Sequence, residues 1–512
     1  MMTRLDRYPP PETRLFAQKL RNRGVVILGL WGLAALILYT FPPDRPVERD
    51  SEVDHFYYGS IGSDRTGGLP TKVLLLLPEL FPEYLPEGAP HDLTAFGFIQ
   101  QKDERLPIGF SIRRQIIDRT QINCAACHTG IVRESADSAP MILPGMPAIT
   151  VDLHSFYRFL FDVAADDRFT ARTIIDALDD RGTLGWVDPV VYRVGIPIMR
   201  DALLGRELRN AFLFQPTYTP FLPGRVNTFD TFKGDQFRDF YAAEGVTPDP
   251  DEMFGIVDFP AVWNQAPREG MWLHWDANQS SVRERNFSAA IGAGTLPHEM
   301  DIDALLRVEA WLRDLPPPQY PFAIDETLAE KGAGIYAARC ADCHDFGSPL
   351  IGQAIPLADI GTDPYRLWSY TDTLRRAQID YTSGYFWEFQ TFRVTDGYAT
   401  QPLDGIWARA PYLHNGAVPS MWDLLSPDTD RPVAFEVGVD IYDQQRMGFQ
   451  TARLTPTGDG FVTEGGDAYT GPNQLLDTRL KGNPATGHTG PRYGTDLDHA
   501  DKRALIEYLK TK

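Results

Sequence analysis

Cys124-Ala125-Ala126-Cys127-His128 and Cys340-Ala341-Asp342-Cys343-His344 together take up all four cysteines of a 512-residue chain. Cys-x-x-Cys-His is the attachment signature of c-type haem. Two intervening residues let both sulfurs reach neighbouring vinyl groups of one porphyrin, and the histidine beside the second cysteine lies under the iron as an axial ligand. The same residue types also bind zinc. A zinc site would have to unite two motifs 216 residues apart, because the chain has no other cysteine. A redox dithiol is the third reading of each pair. The favoured reading is two covalently bound haem c groups, held by Cys124, Cys127, His128, Cys340, Cys343 and His344, with His128 and His344 on the irons.

Gly24 to Phe41 reads GVVILGLWGLAALILYTF, 18 residues without a charge, which reaches the lower limit for crossing a bilayer. Arg14, Lys19, Arg21 and Arg23 precede it, so the positive-inside rule keeps residues 1–24 in the cytoplasm and sends everything after Pro42 outward. A cleaved signal peptide is the alternative, although the bulky Leu38-Tyr39-Thr40-Phe41-Pro42-Pro43 lacks a small-residue cleavage pattern. The expectation is a body in the periplasm, anchored in the inner membrane by residues 25–41, or secreted there if the segment is cleaved. Residues 1–24 carry six Lys/Arg and two Asp/Glu, which leaves −24 on the remainder of a chain whose net charge is −20. Nucleic acid is a poor partner for such a body, and a basic electron-transfer protein would be steered toward it. Acidity that merely keeps an exported protein soluble explains the charge equally well.

Gly 43 and Pro 41 point to many loops, and aromatics at 12 % suit a chain that wraps flat macrocycles in apolar surface. Between Asp301 and Leu315, Ile302, Leu305, Leu306, Val308, Trp311, Leu312 and Leu315 recur at helical spacing. Pro316-Pro317-Pro318 ends that helix. Asp498–Lys510 repeats the pattern with Leu505, Ile506 and Leu509, and Leu328–Tyr336 reads as a helix leading into the second motif. The predicted fold is mainly α with long loops: two cytochrome c-like haem domains with large insertions, plus one N-terminal transmembrane helix. Residues 42–92 form a tether and packed extension, 93–315 the first haem domain, 316–322 a linker and 323–512 the second. Insertions at roughly 160–270 and 425–485 exceed what a minimal haem domain of about one hundred residues needs.

Three segments carry a family resemblance. Leu273-His274-Trp275-Asp276-Ala277-Asn278, followed by Ser281-Val282-Arg283-Glu284-Arg285, resembles the aromatic-Trp-Asp-Gly-Arg segment of bacterial di-haem cytochrome c peroxidases and of the related di-haem enzyme that matures tryptophan tryptophylquinone. Ala277 and Asn278 stand where that family has Gly and Arg. The resemblance gives Trp275 the role of passing electrons between the haems. Leu296-Pro297-His298-Glu299-Met300 looks like the Asn-Pro-x-Glu-Met of the same peroxidases, which implies that Glu299 is a distal acid/base over an open iron. On its residues alone, Glu299 is equally a first-turn acid of the helix beginning near Asp301. Leu403-Asp404-Gly405-Ile406-Trp407-Ala408-Arg409-Ala410-Pro411-Tyr412-Leu413-His414-Asn415-Gly416-Ala417-Val418-Pro419-Ser420 resembles the Ala-Pro-Tyr-x-His-(Asp/Asn)-Gly-Ser-Val segment of the superfamily's second domain. There the histidine lies near haem propionates, so His414 is expected to be structural rather than an axial ligand.

Phe56-Tyr57-Tyr58-Gly59-Ser60-Ile61-Gly62 and Pro107-Ile108-Gly109-Phe110-Ser111 lean toward the rubber-oxygenase-like branch of this superfamily. That branch implies an N-terminal haem with an accessible face and a C-terminal haem with two histidines. His488 is the expected second ligand of the latter, with His499 expected at the surface. Met146 is read as a loop or core methionine rather than a ligand of the first iron. The enzyme reading that follows is a haem-dependent oxidoreductase of peroxidase or oxygenase type. Peroxide or O2 would bind at the His128 haem, electrons would pass through the second haem and Trp275, and an unidentified substrate would be oxidised. The alternative is a di-haem electron-transfer cytochrome c with no substrate chemistry of its own.

Overall fold

The computed structural model describes residues 44–458, 460–471 and 474–512. Period-two alternation builds the platform of the first motif. Phe110–Arg114 and Arg119–Ile122 form an antiparallel hairpin in which Phe110 faces Ile122 and Ile112 faces Thr120. Arg45–Pro46 flanks it on one side and Leu69–Pro70 on the other, completing a four-stranded sheet. The chain leaves this sheet at Asn123, whose side-chain oxygen accepts from the Ala125 amide at 3.0 Å. Its amide nitrogen donates to the carbonyls of Tyr57 and Gly59. Cys124–Ala126 is thereby a single tight turn, and the chain runs on into the strand Thr129–Val132, paired with Met141–Pro144. Gly109 is required beside it: a Cβ there would meet the Ala126 backbone at 2.4 Å.

The second motif is built differently. Asp325 caps the helix Glu326–Arg339 through the Leu328 amide, and that helix delivers Cys340 to the one-turn helix Ala341–His344. The closing helix His499–Leu509 is capped by Asp498 and buries Ala504, Leu505, Ile506 and Leu509. It crosses the first helix closely because Gly332 carries no side chain; a Cβ at that position would lie 2.0 Å from the Ala504 carbonyl oxygen. The helix expected between Asp301 and Leu315 spans Ile302–Asp314, with Asp301 accepting from the Ala304 amide. A cap of this kind contributes about 1 kcal/mol.

The fold-class expectation needs correction. The molecule has 41 % helix and 12 % strand, a mixed architecture rather than a mainly α one. The first motif sits in strand–turn–strand, because its flanks alternate apolar and polar residues at a period that no helix satisfies. Nor do two separate haem domains appear, because the hydrophobic clusters ignore the 316–322 boundary. Val132, Met146, Ile149 and Trp263 pack in one cluster with Tyr336, Trp407, Tyr442 and Leu505. Ile61, Phe229 and Phe287 share another with Tyr370, Leu374 and Trp387. Arg133–Asp440, Arg268–Asp404 and Arg366–Asp276 add ion pairs across the same line. No helix among the described residues is long and apolar enough to cross a membrane. The 25–41 segment read as an anchor, with residues 1–24 before it, lies outside the described residues.

Of the two insertions, 160–270 holds the end of the helix Leu153–Ala165, then Ala171–Asp180 and the long Asp188–Arg209. The other supplies a small sheet in the order Gly460–Thr463, Arg453–Thr457, Ala434–Glu436, Leu475–Asp477. The closeness of the C-terminal helix pair gives a paired test. Gly332→Ala must force the helices apart and should lower stability by about 1–3 kcal/mol in urea unfolding. Gly334→Ala, two residues on, meets nothing within 4 Å and should raise stability by roughly 0.5–1 kcal/mol.

Candidate haem-binding site

A backbone carbonyl orients each motif histidine. His128 Nδ1 donates to Pro260 O at 2.9 Å, and His344 Nδ1 donates to Gln401 O at 2.8 Å. With the proton on Nδ1, each ring presents the Nε2 lone pair, the arrangement of a metal-ligating imidazole. Burial holds both rings neutral: His128 is pushed down to about 4, chiefly by desolvation with help from the Arg285 charge, and His344 is lowered by desolvation. A neutral imidazole is the form that ligates. Burial also pushes the thiols up, to about 11 at Cys124 and Cys340 and about 12 at Cys127.

Opposite His344 stands His488, ring centres 6.4 Å apart. Two imidazoles bound to one metal from opposite sides, each at about 2 Å, have ring centres separated by about 6 Å. His488 is held there at some conformational cost. Its φ is +49°, in the left-handed region, and the preceding Gly487 has φ +81°. The Arg431 guanidinium donates to the carbonyls of Ala485 and Gly487 at 2.6 and 2.9 Å and to that of His488 at 3.3 Å. The His488 amide donates to Ile360 O at 2.8 Å. Strain of this kind persists where surrounding contacts over-determine it, and such places are commonly functional. Burial, then the neighbouring His344, pushes His488 down to about 3.

His128 has a different environment. Among the described residues its aromatic neighbour is Phe259, 6.5 Å away, and no imidazole faces it as His488 faces His344. Met146 is fully buried beneath the strand Thr129–Val132, where a Cβ on Gly130 would touch its sulfur. That is the environment of a core methionine.

Trp275 is hydrogen-bonded between the two backbone stretches that hold the motif histidines. Its indole Nε1 donates to Asp258 O at 3.1 Å, two residues before the carbonyl that holds His128. Its own carbonyl accepts from the Ala399 amide at 2.9 Å, two residues before the carbonyl that holds His344. Trp275 also lines a cavity of about 270 Å³ together with Cys340, Cys343, His344 and His488, with Phe259 and Pro260 on the wall toward the first motif. His414 lines the same space. Its carbonyl accepts from the Asp258 amide, and its ring lies 3.2 Å from the Tyr398 hydroxyl and 3.8 Å from Asp363.

Glu299 is not brought to this cavity. It ends the short turn Pro297–Glu299, buried, with its backbone against Gly62 and its carboxylate 4.0 Å from His298. The cap of the following helix is Asp301 rather than Glu299. His499 opens the closing helix as an exposed residue, its ring against Trp422.

Five arginines line the cavity, at positions 268, 285, 339, 409 and 492, and the sequence reading assigned none of them a role. Arg268 and Arg409 share Asp404 at 2.5 and 2.7 Å. No sequence signal marked them, because arginine is also the commonest surface cation and its direction depends on tertiary packing. The residues fit haem: paired cysteines, a neutral histidine with a free Nε2, a largely apolar cavity and cations suited to propionates. They do not fit zinc, since among the described residues no three His, Cys, Asp or Glu side chains converge on one point.

Comparison with known proteins agrees with this fit. Residues 397–436, which include the His414 segment, match the family described as RoxA-like, cytochrome c-like. That match supports the rubber-oxygenase-like branch of c-type cytochromes, covalently bound haem c and a haem-dependent oxidoreductase. Two proteins of Sinorhizobium fredii (strain NBRC 101917 / NGR234) are similar. "Uncharacterized protein y4iM" is 31 % identical over 297 residues, covering 50 % of this chain and 65 % of that one, so the chain spans just under two thirds of its length. "Uncharacterized protein y4iJ" is 24 % identical over 541 residues, covering 82 % and 84 %.

The placement of His488 depends on a residue with no side chain. Gly487→Ala would drive a Cβ to 2.3 Å from the Thr362 amide at a φ that disfavours it. The expected outcome is a loss of about 1–3 kcal/mol in thermal unfolding. The absorption spectrum of the haem-loaded variant should also shift toward high spin, as His488 moves out of line with His344.

Proposed function

We propose that this chain is an exported di-haem oxidoreductase of the rubber-oxygenase-like kind. One haem is attached at Cys124 and Cys127 with His128 as its only protein ligand. The second is attached at Cys340 and Cys343 between His344 and His488. The observation that carries the reading is the asymmetry of the two histidines: His344 has an imidazole partner at 6.4 Å, and His128 has none among the described residues.

Bound haem would supply the electron transfer and the activation of peroxide or O2, while the protein sets ligation, polarity and access. His128, fixed by Pro260, holds the reactive site from below. His344 and His488 would hold the second haem from its two faces, which suits electron transfer because no ligand need move. Trp275 is hydrogen-bonded into both backbone stretches that carry those histidine contacts, so it is the residue we assign to electron passage between them. The acidic body favours a basic electron-transfer protein as donor, and the periplasm is the compartment in which attachment of this kind is expected. The oxidised substrate is assigned only as a molecule able to reach the His128 side.

Electron paramagnetic resonance of the ferric, fully haem-loaded protein tests the asymmetry. The expected result is one high-spin and one low-spin signal, with cyanide converting the high-spin one alone. His488→Ala should turn the second signal high-spin and leave the first unchanged. Two low-spin signals in the wild type, unresponsive to cyanide, would overturn the proposal in favour of a simple electron carrier.

A further inference from the structure

The helix Asp188–Arg209, in the first insertion, is apolar on two faces. Its inner face buries Tyr192, Ile196, Met199 and Leu203 in the core that also holds the helices Leu153–Ala165 and Ala171–Asp180. The outer face, from the N-cap Val187 onward, carries a second row: Val187, Val190, Val194, Pro197, Asp201, Leu204 and Leu208. They are spaced alternately by three and four residues, the seven-residue repeat by which two helices pack along a seam. Val190, Val194 and Leu208 of this row are 66 %, 63 % and 79 % exposed, and Trp186 and Ile198 on its flanks are 78 % and 64 % exposed. Together these five leave roughly 600 Å² of side chain in water, the upper end for the largest apolar patch of a monomer.

The charges of the helix sort into two kinds. Asp188 pairs with Lys72, Arg200 with Asp167, and Arg206 and Arg209 with Asp235. Arg193, Asp201 and Glu207 have no side-chain partner among the described residues. At 3.6 residues per turn, Arg193 and Glu207 fall on one flank of the row, two repeats apart, and Asp201 falls in the middle of it. Antiparallel pairing with a second copy satisfies this pattern. With a two-fold axis near Met199, Val190 of one copy lies against Leu208 of the other, and Val194 against Leu204. On the flank, Arg193 of each copy meets Glu207 of the other. Asp201 comes opposite Pro197 and near Arg200 of the other copy. Parallel pairing would instead set Asp201 against its own counterpart, which like charge opposes. A lipid surface would bury Asp201 with no partner at all, at greater cost.

We propose that the outer face of Asp188–Arg209 is the contact through which two copies of this chain associate as an antiparallel, two-fold symmetric pair. A closed symmetric pair uses the same patch from both copies, so the patch must complement itself. The apolar row and its opposed flank charges do. Two such stripes cover about 1,200 Å² in total, the lower end of a specific interface, so the association is reversible with concentration. The face stands apart from the haem cavity, whose lining includes no residue of this helix. The pairing therefore holds whatever the ligation of either haem.

Sedimentation velocity of the haem-loaded full chain, in a detergent matched to the solvent density, tests it over a concentration series. The expected result is a monomer–dimer equilibrium. Val194→Asp, at an exposed position, should weaken it by about a hundredfold or more, because an unpaired charge enters the seam. Arg193→Glu alone should weaken it by about tenfold. Combined with Glu207→Arg it should return to within about threefold of wild type, because the pair re-forms with its signs exchanged. Phe386→Asp, on an exposed residue outside the stripe, is the control and should leave the equilibrium unchanged. Unaltered haem content and melting temperature in each variant separate lost association from lost fold. A wild type that is monomeric at every concentration overturns the proposal, whether lipid, another protein or nothing else occupies the stripe. So does a dimer that survives Val194→Asp at wild-type strength, or a charge exchange that recovers nothing.

Discussion

Three consecutive residues, Asp258-Phe259-Pro260, carry the hydrogen bonds on which the site depends. The Asp258 amide is bound by His414 O, the Asp258 carbonyl by the Trp275 indole, and the Pro260 carbonyl by His128. Each bond is worth about 1 kcal/mol net in stability. Their larger effect is directional, because a carbonyl that accepts from Nδ1 decides where the imidazole lone pair points. The stretch is itself fixed: Asp258 belongs to the two-residue strand paired with Arg225–Val226, and the Phe259 amide bonds to Gly224 O. A shift there would be felt simultaneously at the first motif, the bridging tryptophan and the His414 segment.

The second motif repeats this logic with other means. Gln401 O orients His344, and Ala399, two residues earlier, binds the Trp275 carbonyl. The opposite face is set by strain rather than by a regular element. His488 occupies a left-handed conformation that its own side chain disfavours, and Arg431 clamps three carbonyls of that loop. A loop residue held in one conformation by such contacts is positioned by the protein itself, which is preorganisation in the usual sense.

Much of this was legible in the sequence, for reasons that can be stated. Cys-x-x-Cys-His has its chemistry in consecutive residues, so no tertiary knowledge is needed to read it. The helices at 302–314 and 499–509 announce themselves by apolar spacing, an Asp cap and, for the first, a terminal proline triplet. His488 is singled out by its place late in the chain, through resemblance rather than through any local signal. The separation into two mainly helical haem domains failed because it extrapolated the second motif's helical setting to the first. The alternating run Phe110-Ser111-Ile112-Arg113-Arg114 was the contrary sign. Shared cores such as Trp263 against Trp407 depend on contacts over 140 residues of sequence, and composition carries no trace of them. Glu299, in a segment that resembles a catalytic one, ends a buried turn whose backbone packs against Gly62.

The charge pattern shows what the interior is built to hold. A chain with net charge −20 and sequence pI near 4.9 places five arginines around one apolar cavity. If those cations served only the protein's own carboxylates, each would have a partner, and Asp404 does neutralise two of them. Neither Arg285 nor Arg492 has an ion-pair partner among the described residues, and a cation beside an apolar cavity lowers the energy of any added electron or anion nearby. Acidity outside and positive charge inside therefore act in sequence. Such a surface would favour a basic partner, and the cavity would favour negative charge within it. The effect at the surface weakens with salt, whereas the one in the cavity is shielded from it. That difference in screening follows from where the arginines sit rather than from how many there are.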